Sequence, residues 1–214
     1  MKNSIISLLL LSVFLVGCSN DSQEPSNTQA NKAGYDRSQN NSNNALEDIL
    51  ISDSNEQVIA NILLYGTPLI EFDNQTIKSK LGSSGKRKYL NQNGQVLAKI
   101  KRDNNQKFKL KSENGTLLWK IKIKPDSIKV ANNEEMQGSY KIKIKEPNRV
   151  KLLLNESEIG KANTSGKVTS VNAPKVNMNI SNTKASHAGV MGFNDIPLPL
   201  RLIILAELSD SHSS

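Results

Sequence analysis

Apolar and cationic residues alternate along much of the chain between residues 87 and 162. The clearest runs are residues 97–101, 118–124 and 140–145, where lysine recurs at every second position. A period of two residues is the period of a β-strand, so each run predicts a strand with one apolar face and one lysine-bearing face. The pattern therefore predicts a sheet whose buried side is aliphatic and whose other side is basic.

Turn signals separate these runs. Asn93-Gly94 and Asn114-Gly115 each favour a tight hairpin, because both central residues of a type I′ turn need positive φ. Opposite turns are predicted at residues 103–105, 125–126 and 146–148. We therefore expect a mainly β fold, an antiparallel meander of roughly 12 strands that closes into a barrel. Hairpin turns disfavour a solenoid, the other architecture that repeats of about 20 residues can indicate.

Weaker patterns flank this region. Residues 45–51 are expected to form a short helix, with Asn44 as its N-cap and with Leu46, Ile49 and Leu50 on one face. Further strands are predicted at residues 58–65, 69–72, 76–80, 168–171 and 176–180.

Residues 196–208 break the alternation, because only Arg201 and Glu207 among them are polar. Pro199 suits the first turn of a helix, and a helix that is apolar on all faces belongs inside a protein. Ten residues of helix would span about 15 Å, which is too short to cross a bilayer. We therefore expect a C-terminal helix buried within the sheet. A final strand is the alternative, and two prolines disfavour it.

The repeated motif Asn-Gly-x-(Val/Leu)-Leu-x-Lys-Ile-Lys, followed by an apolar closing helix, resembles the tubby C-terminal-like superfamily and its LURP-one-related branch. The resemblance covers about residues 58–208 and implies a barrel wrapped around a C-terminal helix. Tubby domains bind phosphoinositides through basic residues, but no motif in this sequence maps that site onto particular positions. The chain has a single cysteine and so lacks the cysteine cluster of scramblase-like members, and we do not expect lipid-moving activity from it.

The N-terminus carries the pattern of an export signal. Residues 1–17 have a basic start and an apolar run, and Leu15-Val16-Gly17-Cys18 resembles the lipobox of bacterial lipoproteins. In that family the chain is cut between Gly17 and Cys18, the Cys18 thiol receives a diacylglyceryl group, and the new amine is acylated by a fatty acid such as palmitate. Several acyl chains on one residue would anchor the protein stably in a membrane. An ordinary signal peptide with an incidental cysteine is the alternative.

The predicted organisation has four parts. Residues 1–17 are the lipoprotein signal peptide, and residues 18–44 are the lipidated cysteine with a polar, disordered tether. Residues 45–210 form a single β-barrel-like domain with a C-terminal helix, and residues 211–214 are a loose tail. The expected location is the bacterial cell envelope, on the periplasmic side of the outer membrane if the organism is Gram-negative.

The net charge and the cysteine content limit the kinds of partner that we expect. The 214-residue chain has a formal net charge of +8 and a single cysteine. A basic surface favours anionic partners, and export disfavours nucleic acid among them. A lipidated Cys18 would leave no thiol for a disulfide, so packing must supply the stability.

No catalytic motif is evident in the sequence. His187 and His212 have no second ligand at metal-binding spacing, and Ser83-x-x-Lys86 lacks the partner motifs of penicillin-binding enzymes. We therefore expect no enzyme, no metal and no cofactor. The candidate contacts to an anionic surface are the alternating lysines Lys99, Lys101, Lys120, Lys122, Lys141, Lys143 and Lys145.

Three functions are compatible with this sequence, and the third and least favoured is an enzyme acting on a cell-wall or lipid substrate. The first is a non-enzymatic, membrane-anchored lipoprotein whose outward-facing lysines bind an anionic lipid or glycolipid surface. The second is a structural or assembly subunit that docks another envelope protein. A solvated exterior that only keeps a β protein soluble would explain the same lysines.

Overall fold

The computed structural model describes residues 47–82 and 86–210. Within them, consecutive strands pair antiparallel, and the first strand pairs with the last to close a barrel. The strands are β1 Ile49–Asp53, β2 Val58–Leu63, β3 Leu69–Phe72, β4 Gln75–Leu81, β5 Arg87–Leu90, β6 Val96–Asn104, β7 Lys107–Lys111, β8 Leu117–Lys124, β9 Ser127–Ala131, β10 Tyr140–Glu146, β11 Arg149–Leu154, β12 Ser157–Ser165, β13 Val168–Ala173 and β14 Val176–Ser181.

The predicted antiparallel barrel is confirmed, but the predicted number of roughly 12 strands is wrong, because the described residues contain 14. The predicted helix over residues 45–51 is also wrong where it is described, since Ile49–Asp53 is β1. Ile49 and Ile51 point into the core and Leu50 points outward, so burial with a period of two replaces the expected helical face. Residues 45 and 46 lie outside the described residues.

The segment after β14 fills the barrel. A short helix α1 (Ala185–Ala188) continues into the 3₁₀ helix η1 (Gly189–Gly192), and α2 (Leu198–Asp210) follows. All four residues of η1 are buried. A Cβ on Gly192 would collide with a methyl carbon of Leu152 on β11, so the absence of a side chain lets η1 approach the barrel wall. The predicted C-terminal helix is confirmed, and residues 201–208 of α2 are all buried.

The barrel has two distinct ends. The hairpin end carries the Asn-Gly turns, and the opposite end carries the turns after β6, β8 and β10. The chain crosses the interior through α1 and η1 and returns through α2, which begins near the hairpin end. There, the Tyr140 hydroxyl at the start of β10 donates to Asp195 Oδ2 at 2.6 Å.

A buried ionic network fixes α2 at the opposite end. Glu207 is 1% exposed and accepts hydrogen bonds from Arg87 Nη1 at 2.8 Å, from Arg102 Nη2 at 2.7 Å and from the Tyr89 hydroxyl at 2.8 Å. Arg87 also pairs with Asp210 at 2.6 Å. Burial opposes the charge of Arg87, but attraction to Glu207 outweighs it and raises the pKa of the guanidinium. Two arginines thus match two carboxylates at this end.

Candidate functional site

The outer surface of the barrel carries a continuous band of lysines from β4 to β12. The strand register places lysines directly opposite one another across neighbouring strands, and we call this set the lysine band. Its members are Lys80, Lys88, Lys99, Lys101, Lys107, Lys109, Lys111, Lys120, Lys122, Lys129, Lys141, Lys143, Lys151 and Lys161. Each is exposed or half-buried, as an ammonium on a long aliphatic stem allows.

Two lysines at the centre of the band form no ion pair among the described residues. Lys122 on β8 faces Lys129 on β9, and Lys129 faces Lys141 on β10. Among the described residues, the ion pairs include none to Lys122 or Lys129. Like charges directly opposite each other destabilise a sheet, so an anion bound here would relieve an existing repulsion.

Carboxylates do reach both margins of the band. At the opposite end Asp103 pairs with Lys107 at 2.7 Å. Glu134, in the connection before β10, accepts from Lys109 at 2.6 Å and from Lys120 at 3.0 Å. These hydrogen bonds lower the pKa of Glu134 to about 2. Lys141 pairs with Glu156 at 3.0 Å and lowers the pKa of that carboxyl. These pairs are exposed to solvent and hold the lysine side chains only loosely.

A groove of about 520 Å³ indents the band between β10, β11 and β12. Lys145, Arg149, Lys151 and Lys161 line it, together with the single carboxylate Glu158, which pairs with Lys151 at 2.5 Å. The β10–β11 and β11–β12 registers both shift beside the groove, and such bulges bend a strand and redirect its side chains. The groove therefore presents an excess of positive charge in a concave setting.

All seven lysines predicted from the sequence lie on the barrel exterior. Six belong to the lysine band, and Lys145 lines the groove. The sequence interpretation missed Lys107, Lys109 and Lys111 on β7, although they alternate with Phe108 and Leu110 in the same way. Lys129 and Lys151 were also missed, although each lies between two buried aliphatic residues. The remaining missed cations have no such local pattern, and they include Lys80, Lys88, Arg149 and Lys161. The strand register brings all these cations to the same surface.

Some of the other predicted features lie outside the described residues, and the rest can be located in the structure. Gly17, Cys18 and His212 lie outside the described residues, as do Ser83 and the N-terminal segment. His187 is buried in α1 at 6% exposure. The described residues contain no group of three or more His, Cys, Asp and Glu side chains arranged to hold a metal ion. None of the helices in this part of the chain is long and apolar enough to span a membrane.

Comparisons with known proteins identify no family for this chain. No family model matches the chain, and no curated protein matches it significantly. The chain is similar to a protein from Arabidopsis thaliana whose structure was determined by X-ray crystallography. The identity is 14%, the match covers 63% of this chain and 89% of the plant protein, and the TM-score is 0.36. A superposition at that level carries no argument about the fold or the function of this chain.

Proposed function

We propose that this protein is a non-enzymatic, membrane-anchored lipoprotein of the bacterial cell envelope whose lysine band binds an anionic lipid or glycolipid surface. The observation that carries the proposal is the run of opposed lysines across β4 to β12, in which Lys122 and Lys129 form no ion pair among the described residues. The lipobox at Cys18 supplies the anchor in this proposal.

The energetics favour an extended anionic surface as the partner. Each basic residue near an anionic membrane contributes about 1 kcal/mol of attraction. Fourteen lysines on a curved wall cannot all meet one flat bilayer, but three or four of them on adjacent strands can. Three contacts would give about 3 kcal/mol, close to a hundredfold in partitioning. The lipid anchor would keep the barrel near the headgroups and raise their effective concentration.

The architecture supports a place in the tubby C-terminal-like superfamily as a further part of this proposal. A closed antiparallel barrel around a C-terminal apolar helix is the arrangement which the sequence resemblance implies. The 14 strands of the described residues depart from the twelve of that superfamily. No basic site is carried over from it.

Sedimentation with liposomes tests the proposal. The chain from Ser19 onward, which lacks the predicted anchor but contains every described residue, is mixed with vesicles of zwitterionic lipid containing increasing fractions of anionic lipid. We expect binding to rise with the anionic fraction and to fall between 0.1 M and 1 M salt, as the Debye length shrinks from about 10 Å to about 3 Å. Equal binding to neutral and anionic vesicles, or none to either, would contradict the proposal.

A docking role for another envelope protein is the second proposal. It is favoured by two exposed aliphatic residues on the far side of the barrel, Leu50 at 43% and Val168 at 44% exposure. Leu50 lies on β1 and Val168 on β13, the two strands that neighbour β14. Leu50 N donates to the Ser181 hydroxyl and Val168 pairs with Ser181, so the two aliphatic side chains flank Ser181 on the outer face. Replacing both with Thr should abolish capture of an envelope protein by the anchored chain and leave liposome binding unchanged. Capture that survives this change would remove the docking role from this surface.

A further inference from the structure

Two large apolar side chains project from one rim of the barrel. Tyr65, in the connection between β2 and β3, is 84% exposed, and Leu81, the last residue of β4, is 60% exposed. They are the two most exposed large apolar residues of the described chain. Both lie at the end opposite the hairpin end, because they follow even-numbered strands. We call Tyr65 and Leu81 the apolar rim.

The backbone holds the apolar rim in place. Leu64 and Pro68 are buried on either side of Tyr65, so the connection is fixed at both ends while the ring between them faces water. Ser79 N donates to Pro68 O at 3.0 Å, which ties the connection to β4 two residues before Leu81. Apolar surface that is held in water would be stabilised by transfer to an apolar phase.

The connections between strands differ in charge at the two ends of the barrel. In the described chain, those at the hairpin end contain one cation, Lys175, and six carboxylates, which are Glu56, Asp73, Glu113, Glu134, Glu135 and Glu156. Those at the opposite end contain one carboxylate, Asp126, and two cations, Lys86 and Lys167. An anionic surface would therefore attract the opposite end and repel the hairpin end.

Cations also surround the apolar rim itself. Lys80 and Lys88 face each other across β4 and β5 next to Leu81, and both belong to the lysine band. Lys86 lies in the connection between these two strands. An aromatic ring and an aliphatic side chain among lysines suit the interface of an anionic bilayer, because tyrosine is favoured at headgroup level and the ammonium groups remain in water.

The chain enters the barrel at this same end. Glu47 precedes β1 and pairs with Lys167, in the connection between β12 and β13, at 2.6 Å. The predicted tether that begins at Cys18 therefore joins the barrel at the end which carries the apolar rim. A membrane anchor on that tether would hold this end closest to the bilayer and raise the effective concentration of headgroups around it.

We propose that the apolar rim inserts into the interface of the bilayer that holds the predicted anchor, while the hairpin end points away from it. This inference rests on the proposed function, since it takes an anionic membrane as the partner. It adds which end of the barrel faces the membrane and which side chains leave water. In that orientation Lys80, Lys86 and Lys88 meet the headgroups around the inserted side chains.

Quenching by brominated lipids tests the insertion in the full chain. Tyr65→Trp places a reporter on the apolar rim, and Val58→Trp places one at the hairpin end, where Val58 is 56% exposed. The unmodified chain, whose only tryptophan is Trp119, gives the background. On anionic vesicles with bromine in the upper acyl chains, we expect the Tyr65→Trp reporter to be quenched and shifted to the blue, and the Val58→Trp reporter to be neither. Equal quenching of the two reporters, or none of the Tyr65→Trp reporter, would overturn the proposal.

Sedimentation with anionic vesicles separates this inference from the proposed function. Replacing Tyr65 with Ser and Leu81 with Thr leaves every charge in place, and it should weaken binding about tenfold and remove the binding that remains at high salt. Val58→Thr is the matched control and should bind as the unmodified chain does. Salt-sensitive binding that is equal in the double variant and the unmodified chain would overturn the insertion alone, whereas no binding of the unmodified chain would overturn the proposed function as well. Self-association without lipid that only the double variant loses would also overturn the insertion, and it would assign the apolar rim to a contact between copies of this chain.

Discussion

The buried network around Glu207 makes the sharpest stability prediction. Replacing Glu207 with Gln keeps the size and one acceptor oxygen of the side chain but removes its negative charge. Arg87 and Arg102 would then face each other without the carboxylate that both contact, at 2.8 Å and 2.7 Å respectively. Tyr89, which is fully buried, would keep only a neutral acceptor for its hydroxyl.

The loss of stability in Glu207→Gln can be estimated from the burial of the charged side chains. Breaking a buried ion pair by neutralising one partner costs about 3–5 kcal/mol, because the remaining charge is left uncompensated. The side chains of Arg87 and Arg102 are 16% and 29% exposed, and Arg87 retains Asp210, so we expect the lower end of that range, about 3 kcal/mol. In a chain of this length the change corresponds to a fall in Tm of about 6–12 °C.

Urea unfolding followed by Trp119 fluorescence measures the change in the free energy of unfolding. An unchanged m-value would show that the substitution does not alter the unfolded state. Glu158→Gln is the matched control, since Glu158 is exposed and pairs with the exposed Lys151. We expect the control to shift the midpoint only slightly. A Glu207→Gln midpoint equal to that of the control would refute the idea that this network holds α2 in the barrel.

Three further results are expected. Gly160→Ala should destabilise the barrel by about 1–3 kcal/mol in urea unfolding, because a Cβ there would collide with the backbone oxygen of Asn172; an unchanged midpoint would contradict this. The folded-state pKa of Glu134 is lowered from 4.5 to about 2, so its contribution to stability is present above pH 4.5 and is lost as the pH falls towards 2; Glu134→Gln should remove part of that acid sensitivity, and identical pH profiles would exclude it. Burial, and then the hydrogen bond to Asp195, raise the pKa of Tyr140 to about 12, and burial also raises the pKa of Tyr89; two tyrosines should therefore titrate late in ultraviolet absorbance, and one of them should titrate earlier after Asp195→Asn, while no change in that titration would show that Asp195 does not act on Tyr140.

The alternation of lysine with apolar residues was enough to predict the barrel wall, because period-two burial is a local property of each strand. The C-terminal helix was predictable for a similar reason, since residues 196–208 are apolar on every face. Short strands were harder to recognise. The strand Ile49–Asp53 has only five residues. In the sequence, the spacing of Leu46, Ile49 and Leu50 fits one face of a helix, and this local pattern favoured the wrong element.

The candidate sites required pairings between distant residues. Arg87 and Glu207 are 120 positions apart, and no local pattern connects them. The sequence marked Arg201 and Glu207 as polar exceptions in an apolar helix, but it did not show that Arg201 would donate to the backbone of Met191 or that two arginines would pair with Glu207. The groove beside Lys145 and Arg149 also depends on register shifts, which single-strand patterns do not encode.

Liposome partitioning of two matched triple variants tests the central claim most directly. The first changes Lys122, Lys129 and Lys143 to Gln at the centre of the lysine band. The second changes Lys167, Lys175 and Lys184 to Gln, which removes the same charge from exposed positions outside the band. We expect the band variant to bind anionic vesicles about a hundredfold more weakly than the unmodified chain and the control variant to lose much less. Equal losses in the two variants would show that net charge alone drives the association, and they would contradict a binding surface on the lysine band.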